Sequence, residues 1–138
     1  MIVLDTNVLS ALMQQTPDAR VVAWLDRQPR TSVWTTAITV LEIWYGLQTL
    51  SGRRRSLLLD SFKELLVKLE RRIASFDVVA AEEAANLMAQ RQRRGRPGDL
   101  RDTMIAGILL ASHATLATRN TAYFENLSVP VVNPWDRQ

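Results

Sequence analysis

The sequence predicts an α/β protein whose parallel sheet is covered by helices on both faces. Three observations carry that expectation. Short, wholly apolar runs rich in branched side chains recur along the chain, beginning with Ile2, Val3 and Leu4, as strands buried on both faces require. Segments with apolar residues at three- and four-residue spacing lie between them, as crossover helices would. The last long helical segment, Met104 to Ala111, is apolar on every side and therefore belongs at the centre.

The first strand stops at Asp5. Thr6 and Asn7 then lead into Val8, Leu9, Leu12 and Met13 at helical spacing, so the order is strand, acidic turn, helix. Open α/β sheets bind ligands at the carboxyl ends of their strands, which makes Asp5 a candidate for chemistry. A helix cap is the competing role, since Asp, Thr and Asn all serve there. A second short helix runs from Pro17 to Gln28, with Val21, Val22, Trp24 and Leu25 as its buried stripe and Pro17 in its first turn. Ser32 to Thr36 is β-prone and forms the second strand.

The third helix runs from Ala37 to about Thr49. Between Thr31 and Gly52 the only charged residue is Glu42. Ile38, Val40, Leu41, Ile43, Trp44 and Leu47 surround it, so most of this helix is expected to be buried. Thr39, Glu42, Gly46 and Thr49 leave one narrow polar stripe. A carboxylate there either reaches solvent or meets a cation, because isolated buried charge is costly.

Leu57 to Leu69 is an amphipathic helix with Leu58, Phe62, Leu65, Leu66 and Leu69 on its apolar side, and it is a candidate contact for a homodimer. Ile73 to Phe76 is a short strand, followed by a helix from about Ala80 to Arg94 that Gly95-Arg96-Pro97-Gly98 breaks. Asp99 and Asp102 open the apolar helix, one turn apart on one face. Asp99 suits the cap and Asp102 the first turn, both favoured by the helix dipole. Ala106 and Gly107 follow, leaving the space above Asp102 unfilled by bulk. His113, the only histidine, closes the helix as a dipole partner. Thr115 to Thr118 and Val129 to Val132 are the last two strands.

A length of 138 residues fits one domain, expected to span the whole chain. With no cysteine, disulfides and thiolate metal sites are excluded. The longest apolar run falls far short of a membrane span, and the start lacks the pattern of a signal peptide. A cytoplasmic protein without membrane contact is expected. The net charge is +3, yet fifteen of the seventeen basic residues are arginine. Arg91, Arg93, Arg94, Arg96 and Arg101 form one cluster and Arg53 to Arg55 another. Such runs are commonly solvated surface. They equally suit an anionic polymer such as RNA, because guanidinium grips phosphate bidentately.

Asp5, Glu42 and Asp102 share one property: each ends or edges an apolar element. Three carboxylates brought together at low dielectric repel strongly unless a multivalent cation joins them. All-oxygen ligation points to Mg²⁺ or Mn²⁺. Beside an arginine-rich rim, such a site suits phosphodiester hydrolysis. Whether the three meet depends on the fold.

Five segments in order, IVLDTNVLSAL, TTAITVLEIWYGL, DTMIAGILLA, LATRN and VVNPW, make the chain similar to PIN-domain ribonucleases of the VapC/FitB toxin type over its whole length. The resemblance implies a parallel sheet of strand order 3-2-1-4-5 and a metal site at the strands' carboxyl ends. It also implies endonuclease activity on structured RNA and a cognate antitoxin, encoded nearby, that blocks the site. Asp5, Glu42 and Asp102 match the family's acidic metal ligands, and Thr6 and Thr118 match polar positions that line the site. Arg96 and Arg101 are candidate RNA contacts. The chain departs from the pattern at Asn120, where relatives frequently carry Asp, and Tyr123 stands near a spot that is often acidic or His. Asp99, one turn before Asp102, could act through water.

Other readings compete. A haloacid-dehalogenase phosphatase needs a second Asp two residues after the first, where this chain has Asn7. A receiver domain needs paired acids before its first helix and a late Lys, and both are absent. The strongest rival is a PIN fold that binds RNA or a partner without cutting.

Overall fold

Ile2, Val3 and Leu4 form the central strand, β1 (Ile2–Leu4), and their side chains alternate between two hydrophobic cores. The computed structural model describes residues 1–136. Five strands, all parallel, pair in the order β3-β2-β1-β4-β5, with β2 at Val33–Thr36, β3 at Ile73–Ala74, β4 at Thr115–Ala117 and β5 at Val131–Val132. The expected strand order is the observed one. Among the described residues seven α-helices accompany them: α1 (Thr6–Leu12), α2 (Ala19–Asp26), α3 (Ala37–Gln48), α4 (Gly52–Lys68), α5 (Val78–Arg93), α6 (Leu100–Ser112) and α7 (Thr121–Phe124).

Leu4 and Ala117 face a core built with Val8, Leu9, Trp24 and Phe62, from α1, α2 and α4. Val3 and Leu116 face the opposite core with Ile105 and Leu109 of α6, Ala80 of α5 and Phe124 of α7. Burying a large aliphatic side chain of this kind contributes roughly 1.5–3 kcal/mol each, so the two cores hold the sheet from both sides. α6 is the buried helix its composition foretold, with Thr103 and Ile105 to Leu109 inaccessible. His113 closes it in the left-handed conformation, φ 53°. No helix among the described residues is long and apolar enough to cross a membrane.

Several expectations are corrected. α2 begins after Pro17, because the Asp18 side chain accepts from the Arg20 amide and sets the cap there. The strands at Ile73 and Val131 are two residues each, shorter than their apolar runs. α4 starts at Gly52, and Leu58, Leu65 and Leu66 pack inward against the Phe62 core, so that apolar stripe is spent within the chain. α3 is not mostly buried. Ile38, Ile43 and Leu47 reach the cores, but Leu41, Trp44 and Tyr45 are 53%, 44% and 64% exposed. These three lie on one face at helical spacing, on the side no other element covers. Thr39, assigned to the polar stripe, is buried and receives the Thr36 hydroxyl at 3.2 Å. The bare backbone of Gly107 is not open space above Asp102. A Cβ there would collide with the Ala80 carbonyl oxygen and come 2.9 Å from Ala84 Cβ, so the glycine lets α5 and α6 pack closely.

Candidate active site

The carboxyl ends of β1 and β4 are neighbours, with Leu4 level with Ala117. The chain leaves β1 toward β2 on one side and returns to β4 on the other, so this is the switch point of the sheet, where α/β folds bind ligands. The residues that follow the two strands are Asp5 and Thr118.

Asp5 is 5% exposed. Its Oδ1 accepts the Thr6 amide at 2.8 Å, which caps α1. Its Oδ2 accepts the Thr118 hydroxyl at 2.8 Å and, more loosely, the Asn7 side-chain amide at 3.5 Å. Capping and site-building, alternatives in the sequence, are thus shared between the two oxygens of one carboxylate. Burial pushes the Asp5 carboxyl above its ordinary pKa, and the Thr118 and Thr6 hydrogen bonds pull partly against it.

Glu42 stands on the second turn of α3. Thr36 caps that helix by accepting the Thr39 amide at 3.0 Å. The Thr6 hydroxyl donates to Glu42 Oε1 at 3.2 Å, so Thr6 holds Asp5 with its backbone and Glu42 with its side chain. Glu42 is raised above its ordinary pKa, first by burial and then by the charges of Asp5 and Asp102, while Thr6 and Arg101 lower it.

Asp102 lies in the first turn of α6. Burial raises its pKa, followed by the charges of Asp99 and Asp5, against the pull of Arg101 and Arg91. The charge of Asp5 thus reaches both Glu42 and Asp102, and that of Asp102 reaches Glu42, across three separate elements. None of them joins an ion pair within 4.0 Å among the described residues.

Asp99 serves as the α6 cap, accepting the Arg101 and Asp102 amides at 2.9 and 3.2 Å. Arg101 is exposed and near enough to lower both Glu42 and Asp102. Arg96 is exposed in the turn before α6. Asn120 is exposed: its backbone amide donates to Thr118 Oγ1 at 3.1 Å, and its side chain makes no capping bond to α7.

The residue the sequence reading missed is Asn7. Its amide donates to Thr118 Oγ1 at 3.1 Å, and its Oδ1 accepts the Arg119 amide at 3.1 Å. It thereby ties the β1 turn to the β4 turn. The available signal was an amide two residues after Asp5, at a spacing that brings it back to the same carboxylate.

Among the described residues no group of three His, Cys, Asp or Glu side chains is gathered closely enough to form a ready-made metal cage. The donor chemistry nevertheless fits a hard divalent cation: three carboxylates raised by burial, two of them further by the charge of Asp5, each lacking an ion-pair partner. Such an ion would be held by Asp5, Glu42 and Asp102.

The family model described as the PIN domain matches residues 2–129. The chain belongs to the PIN domain family. This PIN domain is 38% identical over 138 residues to the VapC ribonuclease Y4jK of Sinorhizobium fredii, covering 99% of each chain. It is 35% identical over 137 residues to the toxin FitB of Neisseria gonorrhoeae, covering 98% of this chain and 99% of that one. Its fold matches the crystal structure of FitAcB from Neisseria gonorrhoeae with a TM-score of 0.87 at 34% identity, over 99% of this chain and all of that one. The VapC/FitB resemblance carried by the five segments is thereby found across the full PIN domain.

Proposed function

We propose that this PIN domain is a divalent-cation-dependent endoribonuclease that cleaves structured RNA, the toxin of a toxin–antitoxin pair. The observation that carries the reading is the trio Asp5, Glu42 and Asp102 at the sheet's switch point, all raised by burial, with the charge of Asp5 raising the other two further, and without an ion-pair partner. Mg²⁺ or Mn²⁺, when bound, supplies an activated water and neutralises charge on the scissile phosphate. The chain's own residues supply position. Thr118 and Thr6 orient Asp5, Thr6 orients Glu42, and Asp99 fixes the turn that presents Asp102. Arg101, beside Glu42 and Asp102, is placed to meet the negative charge of the substrate phosphate.

The relatives' names support a ribonuclease and a toxin. An Arg from a small antitoxin would pair with the uncompensated carboxylates. For a homodimer, the exposed Leu41, Trp44 and Tyr45 favour α3 over α4: the stretch from Thr31 to Gly52 has a single charge, and a two-fold contact needs a surface that complements itself.

Purified protein incubated with labelled tRNA and messenger fragments tests the function. Cleavage leaving 5′-phosphates with Mg²⁺ or Mn²⁺, abolished by EDTA and by Asp5→Asn, Glu42→Gln or Asp102→Asn, is the expected result. RNA binding without cleavage under all conditions would establish the rival reading, a catalytically inactive binding module.

A further inference from the structure

We infer that the groove between the end of α5, the Gly95–Gly98 turn and α7 holds an unpaired nucleotide of the RNA beside the carboxylate site, with its base stacked on Tyr123 and its phosphate gripped by Arg94 and Arg96. This rests on the ribonuclease reading above.

The groove has a volume of about 720 Å³, and its wall includes Arg91, Arg94, Arg96, Gln90, Asn126 and Tyr123. That is within the range of pockets that take small organic ligands, roughly 300–1,000 Å³. No acidic residue lines it. Arg94 and Arg96 have no carboxylate partner within ion-pair distance among the described residues, so their guanidiniums are available to an anion. Tyr123 is 50% exposed on a turn anchored by its neighbour Phe124, which is 2% exposed and 5.7 Å away between ring centroids. An exposed ring on an anchored turn offers a base a fixed stacking face.

Arg91 connects this groove to the reaction site. Its Nη1 donates to Thr103 Oγ1 at 3.0 Å, and Thr103 directly follows Asp102. Its charge reaches the Asp102 carboxylate. A Cβ at Gly98 would come 2.5 Å from that same Nη1, so glycine at 98 is what lets the guanidinium lie across the start of α6. Arg91 is therefore a shared wall, with the carboxylates on one side and the groove on the other.

The mix of groups favours nucleic acid over an acidic peptide. Cations alone would serve a carboxylate tail. The exposed ring suits a base face, and the carboxamides of Gln90 and Asn126 suit base edges. A base within a duplex presents no free face, so the nucleotide must be unpaired.

Fluorescence anisotropy with a labelled single-stranded adenylate decamer, in EDTA so that no turnover occurs, tests the assignment. Tyr123→Ala is expected to weaken binding about tenfold, as loss of one base–aromatic stack does, and Tyr123→Phe to preserve it. Arg94→Gln and Arg96→Gln should each lower the slope of log affinity against log salt by about 0.7. An RNA duplex of the same length should bind without regard to Tyr123. All three positions are exposed on loops or helix ends, and unchanged melting temperatures verify that the variants fold. Decamer affinity unchanged in Tyr123→Ala would overturn the inference, as would equal displacement of the RNA from parent and variant by a glutamate decapeptide. If the groove variants bind normally while the parent cleaves RNA with metal, the groove assignment fails and the ribonuclease reading stands. A parent that neither binds nor cleaves any RNA removes both.

Discussion

The Thr118 hydroxyl donates to Asp5 Oδ2 at 2.8 Å, joining residues 113 positions apart across the boundary between β1 and β4. The same oxygen accepts from Asn7 Nδ2 and from the Asn120 amide, both at 3.1 Å. One buried hydroxyl thus fills its single donor and both acceptor positions. Thr118→Val keeps the shape and removes all three bonds. It takes an acceptor from two donors and a donor from the buried Asp5 carboxylate, and is expected to cost about 1–3 kcal/mol in chemical denaturation. It should also raise the Mg²⁺ concentration needed for half-maximal RNA cleavage, while Thr118→Ser restores both. A valine variant with unchanged metal dependence would show that Thr118 does not orient Asp5.

The three raised carboxyls predict how metal-free stability varies with pH. A carboxyl whose folded pKa exceeds its unfolded value binds its proton more tightly when folded. Stability therefore falls as pH rises from the ordinary values, 3.8 for Asp and 4.5 for Glu, through the raised ones. In EDTA the melting temperature should drop across that window on the way to neutrality, and Mg²⁺ should recover more stability at neutral pH than in acid. Asp102→Asn and Glu42→Gln should each flatten the drop. Calorimetry showing a steady rise over the window, identical in both variants, would contradict the assignment.

Asn120 offers a neutral carbonyl oxygen where an Asp would bring charge. Asn120→Asp is expected to lower the Mg²⁺ concentration for half-maximal cleavage by adding a fourth negative oxygen donor. Its penalty to the metal-free protein should be small, because Asn120 is exposed and its charge would be screened. An unchanged Mg²⁺ titration would place Asn120 outside the site.

Gly107→Ala tests the α5–α6 contact. The new methyl would meet the Ala80 carbonyl and Ala84, and overpacking of this kind costs about 2 kcal/mol. At this chain length that is roughly 5–10 °C in Tm. A variant as stable as the parent would mean that the two helices can separate freely.

Tyr45→Lys places a charge on the exposed face of α3. If two copies pair there, light scattering should report a monomer, whereas Val67→Lys on the exposed side of α4 should leave the mass unchanged. The opposite pattern would move the contact to α4.

What could be read from the sequence was what short-range physics controls. The Ile2–Leu4 run specified a doubly buried strand, the unbroken apolar stretch from Met104 specified a central helix, and alternation of the two element types specified a parallel sheet. Asp5 was visible as a carboxylate ending such a strand. Hydrophobicity alone misjudged α3, because it cannot say which side of a helix its neighbours reach. Leu41 and Tyr45 are exposed only because the cores stop at Ile43 and Leu47. The meeting of Thr6 with Glu42, of Thr118 with Asp5, and of Arg91 with Thr103 was decided by tertiary structure. So was the groove that brings Tyr123 to the arginines of α5 and the following turn. Propensity and periodicity act over a few residues, whereas these contacts span from 12 to 113, and the crossovers of a parallel sheet alone bring such distant turns to one edge.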